Sequence, residues 1–128
     1  MFIPLTSLPK DNEFDCLIRN VYYEARGESK KGKMAVALVT LNRVDNSKYP
    51  KSICSVVFQK YQFSWTNKWK GPYLEPKQWQ LSKEAAFEAY MNRDSLGKFN
   101  ATHYHNLTVK PKWGLKKLVK IGNHIFYV

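Results

Sequence analysis

The sequence predicts a mainly helical α+β domain, and three observations carry that prediction. Four segments before Asn92 show helical apolar spacing or helix caps, and short β-prone pieces flank a basic stretch after Gly97. No repeat, low-complexity tract or linker divides the chain. A length of 128 residues suits one domain over 1–128, with 1–11 as an irregular N-terminal segment, and is sufficient to bury a core.

The first helix follows Asp11, a candidate N-cap. Phe14, Leu17, Ile18, Val21 and Tyr22 recur at three- and four-residue steps, and Gly27 supplies a stop. Ser29 is placed to cap a second helix through residues 34–41, apolar on nearly every side and therefore expected at the centre of the core. Asn42 and Arg43 close its end and are expected to tie loops together. Residues 51–58 read as a short third helix after Pro50, capped by Ser52. The aromatic and polar segment 59–76 is of the kind that often carries function. Residues 76–92 read as a fourth helix, with Trp79, Ala86, Phe87 and Tyr90 on its apolar side and Glu84 and Glu88 outward. Pieces at 101–105 and 121–128 are expected to pair as a small C-terminal β-ribbon, leaving a cleft between ribbon and helices.

Composition narrows the function classes. The formal charge of +11, from 21 Lys and Arg against 10 acids, attracts polyanions but names only the partner's sign. Four Trp, eight Tyr and seven Phe exceed the needs of a small core, so some rings are expected to line a groove. Cys16 and Cys54 lie among apolar residues on predicted helices, which leads us to expect two buried free thiols. The N-terminal residues lack a basic start and a sustained apolar stretch, and no run approaches the ~20 residues that cross a bilayer. No signal peptide or membrane span is expected. The reading is a chain made in the cytoplasm that reaches any external target after release by another route.

Residues 22–28, Tyr22-Tyr23-Glu24-Ala25-Arg26-Gly27-Glu28, carry the chemistry. A carboxyl in the last turn of a helix faces the negative end of the macrodipole, which opposes ionisation; one just before the next helix has ionisation favoured. Glu24 is therefore the better general acid, with Tyr22 and Tyr23 as part of an apolar wall. The plain alternative is two solvated carboxylates, one of them paired with Arg26. Glycosidic cleavage uses a protonated carboxylic acid and usually a second carboxylate, and the other acids here lie in polar or helix-surface contexts. One acid suffices when the sugar supplies its own nucleophile.

Other chemistries compete. His103, His105 and His124 offer three imidazoles for zinc, as in a wall amidase, although the cysteines fall outside ligand-type clusters. A His-Asn-His nuclease needs a helix bearing its last histidine, and His124 has only four residues behind it. A non-enzymatic nucleic-acid module would use the basic and aromatic residues, but no RNA-recognition, helix-turn-helix or zinc-finger pattern is present, so no specific nucleic acid is expected.

Taken together, Tyr23-Glu24-Ala25-Arg26-Gly27-Glu28, Ala35-Val36-Ala37, Leu41-Asn42-Arg43-Val44, Val56-Val57-Phe58-Gln59, Gln62-Phe63-Ser64-Trp65, Thr102-His103-Tyr104 and Ile121-Gly122-Asn123-His124-Ile125-Phe126-Tyr127 resemble the SleB-type cell-wall hydrolases in the family's order. The resemblance spans nearly the whole chain. It implies a lysozyme-like fold and cleavage of peptidoglycan between N-acetylmuramic acid and N-acetylglucosamine. The expected reaction is that of a lytic transglycosylase forming 1,6-anhydromuramic acid, with a hydrolysing muramidase as the alternative and a phage endolysin as one plausible setting. Glu24 is implied as catalytic acid and base, without metal or other cofactor. Gln62, Phe63, Ser64 and Trp65 would line one side of the cleft and Thr102, His103, Tyr104 and Asn106 the other, with Glu28, Arg26 and Tyr23 in support. Trp113 is a candidate for stacking. Lysines of the stretch 110–120, namely Lys110, Lys112, Lys116, Lys117 and Lys120, would contact anionic wall polymer or lipopolysaccharide, and a monomer is expected. Asn100, where many members have glycine, and His105, in place of a frequent aromatic, depart from the pattern.

Overall fold

The computed structural model describes residues 11–59 and 75–128. Helices α1 (Asp11–Ala25), α2 (Lys30–Val44), α3 (Ile53–Val57) and α4 (Pro76–Met91) precede the strands β1 (His103–Asn106), β2 (Lys117–Ile121) and β3 (His124–Tyr127). Leu17, Ile18, Val21 and Tyr22 of α1 are buried, as their spacing predicts. The helix stops at Ala25, where the amides of Arg26 and Glu28 bond back to the carbonyls of Tyr22 and Ala25. Glu24 consequently occupies the last turn.

Ser29 caps α2, its hydroxyl accepting from the Gly32 amide at 3.2 Å. Every residue from Gly32 to Leu41 is buried, because α2 serves two cores. Met34, Ala37, Leu38 and Leu41 pack against α1, α3 and α4, while Ala35, Val36 and Val39 meet Ile121 and Phe126 of the sheet. Each aliphatic side chain so buried contributes about 1.5–3 kcal/mol. At the end of α2 the Asn42 amide donates to the carbonyls of Phe99 (3.0 Å) and Ala101 (2.8 Å), and Arg43 Nε donates to the Thr102 carbonyl (2.7 Å). These bonds fix where β1 begins.

Two expectations about the helices are corrected. Cys16 and Cys54 are joined in a disulfide, with Cα atoms 5.3 Å apart. The capped helix α3 lies across α1 and brings the sulfurs together, a crossing that the periodicity of neither segment contains. Phe87 is 40% exposed, since the buried stripe of α4 runs through Ser82, Ala85, Ala86 and Ala89 and one residue past Ala86 turns about 100° away. Among the described residues its ring meets that of Phe14 edge-on, at 6.1 Å between centroids.

The ribbon contains three strands rather than two, in the antiparallel order β1-β3-β2. The additional strand, β2, comes from the basic stretch: Lys117 and Lys120 stand opposite Tyr127 and Ile125 of β3, and the register shifts between Lys117 and Val119. Pairing of Tyr104 with Phe126 and of His105 with Ile125 sets the faces. Tyr104, His124 and Phe126 point toward α2, whereas His103, His105 and Tyr127 point away. Among the described residues, no helix is long and apolar enough to cross a membrane.

Candidate active site

Glu24 and Tyr104 lie 80 residues apart, and the fold joins them. With β1 pinned by Asn42 and Arg43, the inward Tyr104 hydroxyl donates to Glu24 Oε1 at 2.7 Å. Asn20, fully buried one turn before Glu24 on α1, hydrogen-bonds to the same tyrosine and donates to Thr40 Oγ1 at 3.3 Å. Burial pushes the Glu24 carboxyl above its ordinary range, and the Tyr104 hydroxyl and the charge of Arg43 only partly oppose that rise. Tyr104 remains a proton donor throughout, because burial and the adjacent Glu24 hold its phenol well above 10.0. Among the described residues Tyr104 is the only hydrogen-bond partner of Glu24, and it engages Oε1 alone.

Glu28 sits in the opposite environment. Burial raises its pKa, but the Asn123 backbone amide (2.7 Å), the Asn123 side-chain amide (3.0 Å), His124 and Lys33 together bring it below the ordinary value. His124 Nδ1 is 3.5 Å from Glu28 Oε1, and the side chains of both are only 8% exposed. The Lys33 ammonium donates to the Glu28 backbone carbonyl. Gly122 has φ +57°, and a Cβ there would run into the Glu28 carboxylate, so the turn between β2 and β3 admits this clamp only with glycine. The His124 ring in turn meets the Tyr104 ring edge-on at 5.1 Å. Glu28 thus anchors the sheet against the α1–α2 turn, behind the pair that Tyr104 makes with Glu24. The two carboxyls are pushed in opposite directions, Glu24 toward the protonated form and Glu28 toward the ionised one.

The remaining candidates separate. Arg26 pairs with neither carboxylate among the described residues; it donates to the Tyr22 hydroxyl at 3.1 Å, which also accepts from the Glu75 amide at 3.0 Å. Tyr23 stands edge-on to Tyr22, with ring centroids 5.1 Å apart. The Thr102 hydroxyl meets His103 Nδ1 at 3.0 Å, and burial together with Arg43 lowers the His103 pKa. His103 itself lies on the outward face, against Trp113 at 5.3 Å. Asn106 is turned into its own loop, where its Oδ1 accepts from the amide and hydroxyl of Thr108. Gln62, Phe63, Ser64 and Trp65 lie outside the described residues. The three imidazoles do not converge, since the strand register puts His124 on the face opposite His103 and His105. Among the described residues the single metal-type cluster is Glu13 with the two disulfide-bonded cysteines.

Sequence reasoning missed Asn20 as a partner of the site and gave Arg43 only a structural task. A polar residue on the apolar stripe of α1, four positions before Glu24, was the available signal for Asn20.

Comparison with known proteins places this geometry in context. Residues 27–127 match the sequence profile of the family described as Cell Wall Hydrolase. The spore cortex-lytic enzyme of Bacillus cereus is 35% identical over 118 residues, which cover 90% of this chain and 44% of that protein. That of Bacillus subtilis is 31% identical over 119 residues, 91% of this chain and 37% of that protein. The chain therefore spans less than half the length of these curated relatives. Among solved structures, the catalytic domain of the germination-specific lytic transglycosylase SleB from Bacillus anthracis superposes with a TM-score of 0.80 at 30% identity, covering 98% of this chain and all of that one. The catalytic domain of the Bacillus cereus SleB protein gives 0.75 at 30% identity, with 98% of each chain covered. The fold is thus the lysozyme-like one expected.

Proposed function

This chain belongs to the cell wall hydrolase family, and from that premise we propose that it is a lytic transglycosylase of peptidoglycan with Glu24 as its acid and base. The supporting observation is the buried, upward-shifted Glu24 carboxyl with Tyr104 on one oxygen. Glu24 gives its proton to the glycosidic oxygen between N-acetylmuramic acid and N-acetylglucosamine as the C1–O bond breaks. The resulting carboxylate then takes the proton of the muramic 6-hydroxyl as O6 bonds to C1, which closes the 1,6-anhydro ring and consumes no water. Tyr104 and Asn20 hold the carboxyl in place, and Arg43 stabilises the carboxylate between the two steps.

A hydrolysing muramidase would need a carboxylate to activate water, and the nearest in sequence, Glu28, is occupied by Asn123 and His124. That occupancy favours the internal hydroxyl as nucleophile. Separation of the three imidazoles onto two faces disfavours a zinc amidase. In this reading one domain, acting as a monomer and without a cofactor, binds the glycan between helices and sheet. In this reading Thr102 and Tyr104 line the sheet side of that cleft. Digestion of purified peptidoglycan followed by mass analysis of the muropeptides tests the proposal. Anhydro ends are expected; reducing ends, heavier by one water, would establish hydrolysis, and peptide cleavage alone would refute glycan chemistry.

A further inference from the structure

Residues 95–128 contain six lysines and no aspartate or glutamate. The strand register gathers part of this charge on the face of the sheet opposite Tyr104. Lys117 and Lys120 share that face with Tyr127 and Ile125. Trp113, 40% exposed, stands against the rings of His105 (5.6 Å) and Tyr127 (5.4 Å), and His105 stacks on Tyr127 at 5.3 Å. The stack is held by polar bonds. His105 Nδ1 donates to the Asn106 carbonyl at 2.7 Å, which leaves Nε2 to accept from the Tyr127 hydroxyl at 2.8 Å. Rings with fixed orientation cost little entropy to bind against, and among the described residues neither lysine beside them forms an ion pair.

We infer that this outward face, formed by Trp113, His105, Tyr127, Lys117 and Lys120, is a second contact surface for the anionic, peptide-bearing glycan strands of the wall. Its occupant rests on the peptidoglycan reading above. Sugar rings present apolar C–H faces to the aromatic rings, and the carboxylates of lactyl-linked peptides pair with the lysines, a combination that neither an uncharged glycan nor a bare polyanion satisfies in full. The site lies on the side of the sheet away from Glu24, so it holds the enzyme on the wall whether or not a strand occupies the cleft.

The test is co-sedimentation of the non-cleaving Glu24→Gln chain with purified sacculi, with uncharged chitin and with phosphatidylglycerol vesicles. Trp113→Ala and the double variant Lys117→Gln/Lys120→Gln are compared with it after thermal unfolding has shown each to be folded. The exposed lysine pair keeps the test open if Trp113→Ala unpacks the sheet. Sacculus binding is expected to fall at least fivefold in each variant, to weaken with salt in the parent, and to exceed binding to chitin and vesicles. Unchanged sacculus binding by the lysine variant would overturn the assignment, as would an equal loss on vesicles, which would mark a lipid surface. A parent that ignores sacculi altogether would remove the occupant and the peptidoglycan reading together, a pattern distinct from variants that match a binding parent.

Discussion

Replacing Glu24 with glutamine isolates the proton from the shape. The amide oxygen still accepts from Tyr104, 2.7 Å away in the parent, so the hydrogen-bonded pair survives while the donated proton is lost. General acid–base help is worth about 100- to 10,000-fold in rate, equivalent to roughly 2.7–5.5 kcal/mol of barrier. Release of muropeptides from purified peptidoglycan should fall within or below that range. Stability should move the other way. The folded Glu24 binds its proton more tightly than the ordinary carboxyl at 4.5, so the parent loses stability as pH rises through the raised folded value. The amide has no charge to bury and suffers no such loss. The melting temperature of Glu24→Gln relative to the parent should therefore climb as pH rises from 4.5 through the raised folded value. A variant that keeps more than roughly a tenth of the activity would refute the assignment of Glu24 as acid. A stability difference that stays flat with pH would refute the argument that burial raises the carboxyl.

Glu28→Gln should give the opposite pH signature. Its folded pKa is lowered, so the stability it supplies is complete above 4.5 and is lost as pH falls through the lowered value. The variant should be destabilised by about 1–3 kcal/mol at neutral pH and converge on the parent in acid, read from melting curves, with a smaller loss of activity than Glu24→Gln. Reducing the disulfide should cost about 4 kcal/mol by the chain-entropy relation for a loop of this length. For 128 residues this amounts to roughly 10–15 °C in melting temperature, measurable by calorimetry with and without reductant.

The elements that were legible in the sequence are those with local causes. Ser29 and Ser52 act as N-caps within three residues of the amides they satisfy, and the spacing from Leu17 to Tyr22 is the buried stripe itself. Opposite shifts of Glu24 and Glu28 were expected from two helix ends, whereas burial of Glu24 and the Asn123, His124 and Lys33 contacts of Glu28 produce them. What remained illegible depends on crossings between distant segments. The partner of Cys16 is 38 residues away, and that of Glu24 is 80. β2 was hidden because the register shift between Lys117 and Val119 puts Lys117 and Lys120, three apart in sequence, on one face and so breaks the period of two that marks a strand. His103 and Tyr104 were grouped on one side of a cleft, yet adjacent residues on a strand must face opposite ways. That rule was available, but which of the two meets Glu24 follows only from how Asn42 and Arg43 anchor the segment before β1.

The bond between Cys16 and Cys54 gives the chain a history as well as a shape. Such bonds are rare where glutathione and thioredoxin keep thiols reduced and persist where the surroundings oxidise. The two partners are the helix whose last turn carries Glu24 and the short helix α3. An oxidising setting keeps this staple closed, and a reducing one would open it. Its durability is then a property of place: least in a reducing interior, greatest beside the wall it is proposed to cut.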